Sequence, residues 1–128
     1  MAEERKPYTL SFEERNGYLY AFVCGEKDSL ETSLAYWAAI AAECKARNVR
    51  RVLVEEDFKT QLSLTDMFLV ASKLPELGPG LKAAFVDRQP DHHSENMFGE
   101  KVVRSHGGLG RVFQNVHDAE AWLLNPSE

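Results

Sequence analysis

The run Arg51-Val52-Leu53-Val54-Glu55 has the pattern of a buried strand and stands between two helix-period segments. A strand that both follows and precedes a helix needs crossover connections, and so takes parallel neighbours. Upstream, Tyr8-Thr9-Leu10-Ser11-Phe12 alternates with period two, Asn16-Gly17 supplies a hairpin turn, and Tyr18 to Cys24 reads as the second strand. Asp28 with Glu31 forms a capping-box pattern, and Leu30, Leu34, Trp37, Ala41 and Cys44 follow at helical spacing to an end near Asn48. After the Arg51–Glu55 strand, Ser63 with Asp66 opens a helix through Met67, Phe68, Val70 and Leu74, stopped by Pro75 and Gly78. Lys82 to Asp87 is the fourth strand. A helix entered at Asp91 or Ser94 runs to Gly107, Arg111 to Val116 is the fifth strand, and Asp118 caps a last helix. The order ββαβαβαβα predicts an α/β fold: a mixed, mostly parallel five-stranded sheet with four helices, in one domain over residues 1–128.

Composition supports this size. With 44% hydrophobic residues in 128 positions, the chain is long enough to bury roughly two thirds of its unfolded surface. A formal net charge of -5 with interspersed signs argues against nucleic acid and anionic membranes, which demand a concentrated basic face. The basic group Lys45, Arg47, Arg50 and Arg51 falls at a helix end, where cations favour the dipole. Met1 to Lys6 lacks the apolar segment of a signal peptide, and no apolar run approaches the roughly 20 residues of a membrane span, so the expectation is cytoplasmic. Cys24 and Cys44 at apolar-periodic positions read as small buried hydrophobes of a reducing compartment.

Hairpin register carries a sharper inference. A two-residue loop pairs Arg15 with Tyr18 and sends Tyr8, Leu10 and Phe12 to the same face as Leu19, Ala21 and Val23, which is the core face. The opposite face carries Thr9, Ser11, Glu13, Tyr18, Tyr20, Phe22 and Cys24. If strands add in order, right-handed crossovers place all helices on one side and leave Tyr18, Tyr20 and Phe22 without helical cover. The occupants considered for that face are the C-terminal helix, a second copy of the chain in a homodimer, a protein partner, or a bound apolar ligand.

Ligands of open α/β sheets engage beyond the carboxyl ends of strands, which here bring Glu55, Glu56 and Asp57 near Asp87. Such carboxylates suit a hard cation or a general acid/base pair, yet alternation sends Glu55 and Asp57 to one face and Glu56 to the other, with Arg88 and Lys59 at hand to neutralise them. These carboxylates therefore read first as solvated or ion-paired, next as a partner-binding rim of Glu55, Asp57 and Asp87, and last as a metal or catalytic group. Asp91-His92-His93 lacks metal-pair spacing and reads as a polar loop and helix entry, with a ligand role together with His106 or His117 as the lesser reading, and Gly107-Gly108-Leu109-Gly110 leads into a strand and lacks the helix dipole of a phosphate cradle. No nucleophile has an evident activating base; no cofactor, metal or catalytic residue is expected.

These residues resemble a family. The Gly17-Tyr18-Leu19 hairpin exit, Asp28-Ser29-Leu30-Glu31-Thr32, Val54-Glu55-Glu56-Asp57-Phe58 and Phe85-Val86-Asp87-Arg88 look like SpoIIAA-like (STAS-type) bacterial domains. The resemblance covers nearly the whole chain and implies a βα superhelix without a catalytic centre, related in fold to anti-sigma factor antagonists and to CRAL-TRIO lipid-binding domains. In the antagonists a phosphorylatable serine follows the third strand in an Asp-Ser-Ser/Ala-Gly context. Here that motif is absent, the first serine after the strand is Ser63 followed by Leu64, and Thr60 is the nearer hydroxyl, so Ser63 is the regulatory candidate. The implied function is a non-enzymatic regulatory or protein-interaction domain. A carrier of a lipid or other apolar small molecule is the alternative, suggested by Trp37, Met67, Phe68, Met97 and Phe98, and a metal-assisted hydrolase ranks third.

Overall fold

In the computed structural model, which describes residues 6–126, one five-stranded sheet runs in the order β1-β2-β3-β4-β5. Its strands are β1 (Thr9–Arg15), β2 (Tyr18–Lys27), β3 (Arg51–Thr60), β4 (Lys82–Asp87) and β5 (Leu109–Phe113); the helices are α1 (Leu30–Ala46), α2 (Leu64–Leu77), α3 (His93–Ser105), entered through a 3-10 turn at Pro90–His92, and α4 (Val116–Leu123). β1 is antiparallel to β2 and every later pair is parallel, as the connection lengths demand. Most of the N-terminal stretch expected to lack a leader lies outside the described residues.

The hairpin holds the expected register. Arg15 pairs with Tyr18, and Gly17 takes φ +90°, a value that only glycine adopts without strain. One sheet face therefore gathers Leu19, Ala21, Val23, Val52, Val54 and Phe58 against Tyr36, Ile40 and Cys44 of α1, with Tyr8, Leu10 and Phe12 packed at its margin. The parity fixed by two turn residues thus decides which half of β1 enters the core.

α1 corrects two expectations. Ser29, not Asp28, is the N-cap and accepts from the Thr32 amide at 3.1 Å, which releases Asp28 to a buried position one residue earlier. Its buried stripe is Ser33, Tyr36, Ile40 and Cys44, one step round from Leu34, Trp37 and Ala41, because a helix this rich in alanine has little amphipathic contrast to fix its rotation. The helix ends in a Schellman motif: Asn48 sits at φ 56°, its amide bonds to Lys45 O, and Val49 N bonds to Cys44 O. Gly107 does the same for α3: its amide bonds to Arg104 O, and Gly108 N bonds to Val103 O.

α2 passes through Pro75 and ends at Leu77 with Gly78 as its C-cap, the second of the two expected stops, since a proline in the last turn forfeits one bond without breaking the helix. It packs mainly on α1 and α3 and stands off the sheet; its buried Val70 and Ala71 belong to neither core cluster. Gly99 of α3 allows this close helix pairing, because a Cβ there would lie 2.9 Å from Met67 Sδ.

α4 overturns the expectation that all helices share one face. It crosses the opposite side, where Ala119, Trp122 and Leu123 cover Tyr18, Leu53, Ala84 and Val86. The crossover rule constrains only helices that join two parallel strands, and no strand follows α4. Asn115 rather than Asp118 is its N-cap, accepting from the Asp118 amide at 2.8 Å. Buried Lys82 closes the other end: its Nζ donates to Trp122 O at 2.9 Å and Asn125 O at 2.8 Å and lies 4.5 Å from the Trp122 ring centre. A cation at a helix C-terminus meets the negative end of the dipole.

Candidate functional site

β3 continues to Thr60, so Glu55, Glu56 and Asp57 lie within the strand and not at its end. Alternation separates them as the sequence predicts. Glu56 points to the α1 side, pairs in register with Asp87 of β4, and is 3% exposed. Beside it, Asp28 Oδ1 accepts from Ser29 N at 2.8 Å and Ser33 Oγ at 2.7 Å, while Oδ2 lies 3.1 Å from the Tyr36 hydroxyl. The same hydroxyl is 2.9 Å from Glu56 Oε2. Asp87 receives Gln89 N at 2.9 Å and Asn96 Nδ2 at 2.9 Å, with His92 Nδ1 at 3.1 Å; Asn96 Oδ1 in turn accepts from Gln61.

Proton counting assigns the charges. The Tyr36 hydroxyl has one proton for two carboxyl neighbours. Asp28 has three donors, which is the environment of a carboxylate; Glu56 has Tyr36 alone. The arrangement is satisfied when Tyr36 donates to Asp28 and a protonated Glu56 donates to the Tyr36 oxygen. Burial raises the Glu56 carboxyl well above its ordinary range, and the charges of Asp28 and Asp87 add to that against the opposing Tyr36 bond. Burial also raises Asp28, with its hydrogen bonds opposing and Asp87 adding. The second oxygen of Glu56, Oε1, has no hydrogen-bond partner among the described residues, yet it is not sealed from solvent.

This cluster forms the polar end of a cavity of about 400 Å³ beneath α2. Asp28, Ser33, Tyr36, Glu56, Gln61 and Asn96 supply that end; Trp37, Met67, Leu74, Leu81, Phe85 and Val103 stand for the apolar remainder, and Ala83 and Gly110 leave the sheet floor low. Small floor residues under a helix held off the sheet are what keep the space open.

The opposite face holds the other predicted residues, and it is not bare. Tyr18, expected at a partner surface, is 3% exposed beneath α4 and hydrogen-bonds Glu120 at 2.5 Å, because the C-terminal helix takes that position. Tyr20 and Phe22 are half-buried under stacked guanidinium groups: Arg15 lies 3.7 Å from the Tyr20 ring centre and Arg88 4.4 Å from that of Phe22. Glu55 joins them, accepting from Tyr20 and from Arg88 at 2.8 Å. Burial alone would raise Glu55, but the Arg88 and Tyr20 bonds outweigh it and its carboxyl is lowered; burial, then Glu55, pushes the Tyr20 phenol up to about 12. Asp57 accepts from Gln89 Nε2 at 2.8 Å, and a crevice lined by Glu55, Asp87, Arg88 and Asn115 closes that strand end. Glu55 and Asp57 therefore share one side of the sheet while Asp87 serves the other.

Ser63 is the N-cap of α2 and accepts from the Asp66 amide at 3.1 Å. His92 is committed to Asp87, and among the described residues no group of three or more His, Cys, Asp or Glu is placed to hold a metal ion. No described helix is long and apolar enough to cross a membrane. Sequence reasoning missed Asp28, Ser33, Tyr36, Gln61 and Asn96 as one site; the legible signal was Ser33 and Tyr36, three apart within a helix otherwise rich in alanine.

No family model matches the chain, and no curated protein matches it. Solved structures do. An anti-sigma factor antagonist from Mycobacterium paratuberculosis superposes with TM-score 0.62 at 14% identity, covering 97% of this chain and 100% of that one. The fold is SpoIIAA-like. An uncharacterized DUF3478-family protein from Shewanella loihica PV-4, itself described as having a SpoIIAA-like fold, aligns with TM-score 0.55 at 16% identity over 96% of this chain and 98% of that one. In this SpoIIAA-like domain the five-stranded mixed sheet and the order ββαβαβαβα stand as the sequence predicted.

Proposed function

We propose that the domain is a non-enzymatic, STAS-type regulatory module that binds another protein through the outer face of α2. The observation that carries this reading is the exposure of Leu64, Phe68 and Leu69, 56%, 45% and 43% accessible, on the helix that begins just after β3. Large apolar side chains in water at one helix end favour a partner that removes them from it. The anti-sigma factor antagonist of the same fold suggests that the partner is an anti-sigma factor. Side-chain chemistry agrees with a non-catalytic role: the Ser63 hydroxyl is occupied in capping α2, and burial, then Glu43, pushes the Cys44 thiol up to about 11.

The test is titration calorimetry against the anti-sigma factors encoded in the same genome, with the parent and with Leu64→Glu/Phe68→Glu. The reading expects one of them to bind the parent and to lose at least about tenfold in affinity with the double variant, since each charge would enter a desolvated contact. Affinity unchanged by the double variant places the interface elsewhere. Binding by none removes the proposal.

A further inference from the structure

We propose that the cavity beneath α2 binds a small apolar amine, with its ammonium group held at Glu56 Oε1 and its hydrocarbon body along α2. This is independent of the partner surface on the outer face of the same helix. The argument begins from volume: about 400 Å³ lies within the range of small-molecule sites, and the wall is predominantly apolar, with Asp28, Ser33, Tyr36 and Glu56 hydrogen-bonded together as one polar group in it.

That group contains no lysine or arginine among the described residues. Asp28, Glu56 and Asp87 lie close enough for their charges to act on one another, and neither Asp28 nor Glu56 has an ion-pair partner among the described residues. The nearby cations are directed elsewhere. Arg88 bonds Glu55 on the opposite face, Lys82 caps α4 there, and Arg111, which contributes to the cavity wall, places its guanidinium 5.5 Å from the Phe113 ring centre. α2 contributes apolar residues to the wall, and α3 adds Glu100, whose Oε1 accepts from Val112 N. Glu56 is the acid with spare capacity: nearly fully buried, lining the cavity, with one oxygen unused.

The chemistry of the missing group follows. A carboxylate head would meet Asp28 and Asp87 as a like charge. A hydroxyl would satisfy Oε1 with one neutral hydrogen bond. An ammonium makes a charge-assisted bond, about twice as strong, and supplies the counter-charge that lets Glu56 ionise by releasing its proton to water.

Three probes of one length separate these cases: decylamine, decanol and decanoate, titrated calorimetrically below their aggregation concentrations. Expected is one-to-one binding of decylamine about tenfold or more tighter than decanol, with none for decanoate. Glu56→Gln keeps a neutral side chain of the same shape; it should bring decylamine down to the affinity of decanol and leave decanol unchanged. Ala83→Leu raises the cavity floor and should abolish binding of both while the domain stays folded, so a loss through unfolding is recognised by circular dichroism. Equal affinities for amine and alcohol, decylamine binding that survives Glu56→Gln or Ala83→Leu, preferential binding of decanoate, or no binding of any probe would overturn the proposal.

Discussion

Replacing Glu56 by glutamine tests the charge assignment at the centre of the domain. Glu56 is buried at 3% exposure, its carboxyl is raised well above the ordinary range, and its one protein bond runs to Tyr36. A carboxyl whose folded pKa exceeds its unfolded value of about 4.3 contributes stability that is fully present below that value and is lost as pH rises through the folded pKa. Within that window the folded state holds one proton more than the unfolded, so the parent loses about 1.4 kcal/mol per pH unit on this account. Glutamine has no proton to lose, and its amide donates to the Tyr36 oxygen as the neutral acid does. Asp28 is raised and adds a loss of the same sign, whereas Glu55 is lowered and contributes stability that is lost as pH falls. Both remain in the variant, so the difference between the two proteins reports Glu56 together with its coupling to Asp28. Urea unfolding at pH 5, 6, 7 and 8 measures it. The stability of Glu56→Gln relative to the parent should climb with pH by about 1.4 kcal/mol per unit until the folded pKa is passed. A difference that stays constant from pH 5 to 8 would refute the neutral assignment and, with it, the direction of the proton in the Tyr36 bridge.

Ser63→Ala removes the acceptor of the Asp66 amide and should cost about 1 kcal/mol in urea unfolding, while Ser63→Asp, which retains an acceptor and places a negative charge at the N-terminus of α2, should cost less. Lys82→Met takes away the donor to Trp122 O and Asn125 O, and should cost about 1–3 kcal/mol and redden Trp122 emission in a Trp37→Phe background; unchanged stability would mean that α4 docks by its apolar residues alone.

Most of the fold was legible because hydrophobic period, turn residues and connection length agree in this chain. Asn16-Gly17 settled the register, and the parallel order followed from helices between strands. What the sequence hid was rotation and closure. A one-step rotation of α1 exchanges Leu34 and Trp37 for Ser33 and Tyr36 on its buried face, and the polar cluster depends on that step. Alternation set Glu56 apart from Glu55 and Asp57, but only its pairing with Val23 and Asp87 shows that it is the one turned toward α1 and buried. Lys82 opens an apolar strand and gave no sign of capping a helix forty residues away, because a long-range cap has no local pattern.

The separation of α2 from the sheet has a consequence in time as well as in space. β3 is clasped by strands on both sides and covered on both faces, so its amides should exchange with solvent only when the domain opens as a whole. α2 rests on two helices above a hollow, and an excursion of its N-terminal half exposes Met67 and Val70 without breaking a strand pair. Hydrogen exchange in this domain should therefore divide into two tiers, with the α2 amides opening by a local route at lower free energy than those of β3, and with the helix that roofs the hollow setting how often its interior meets water.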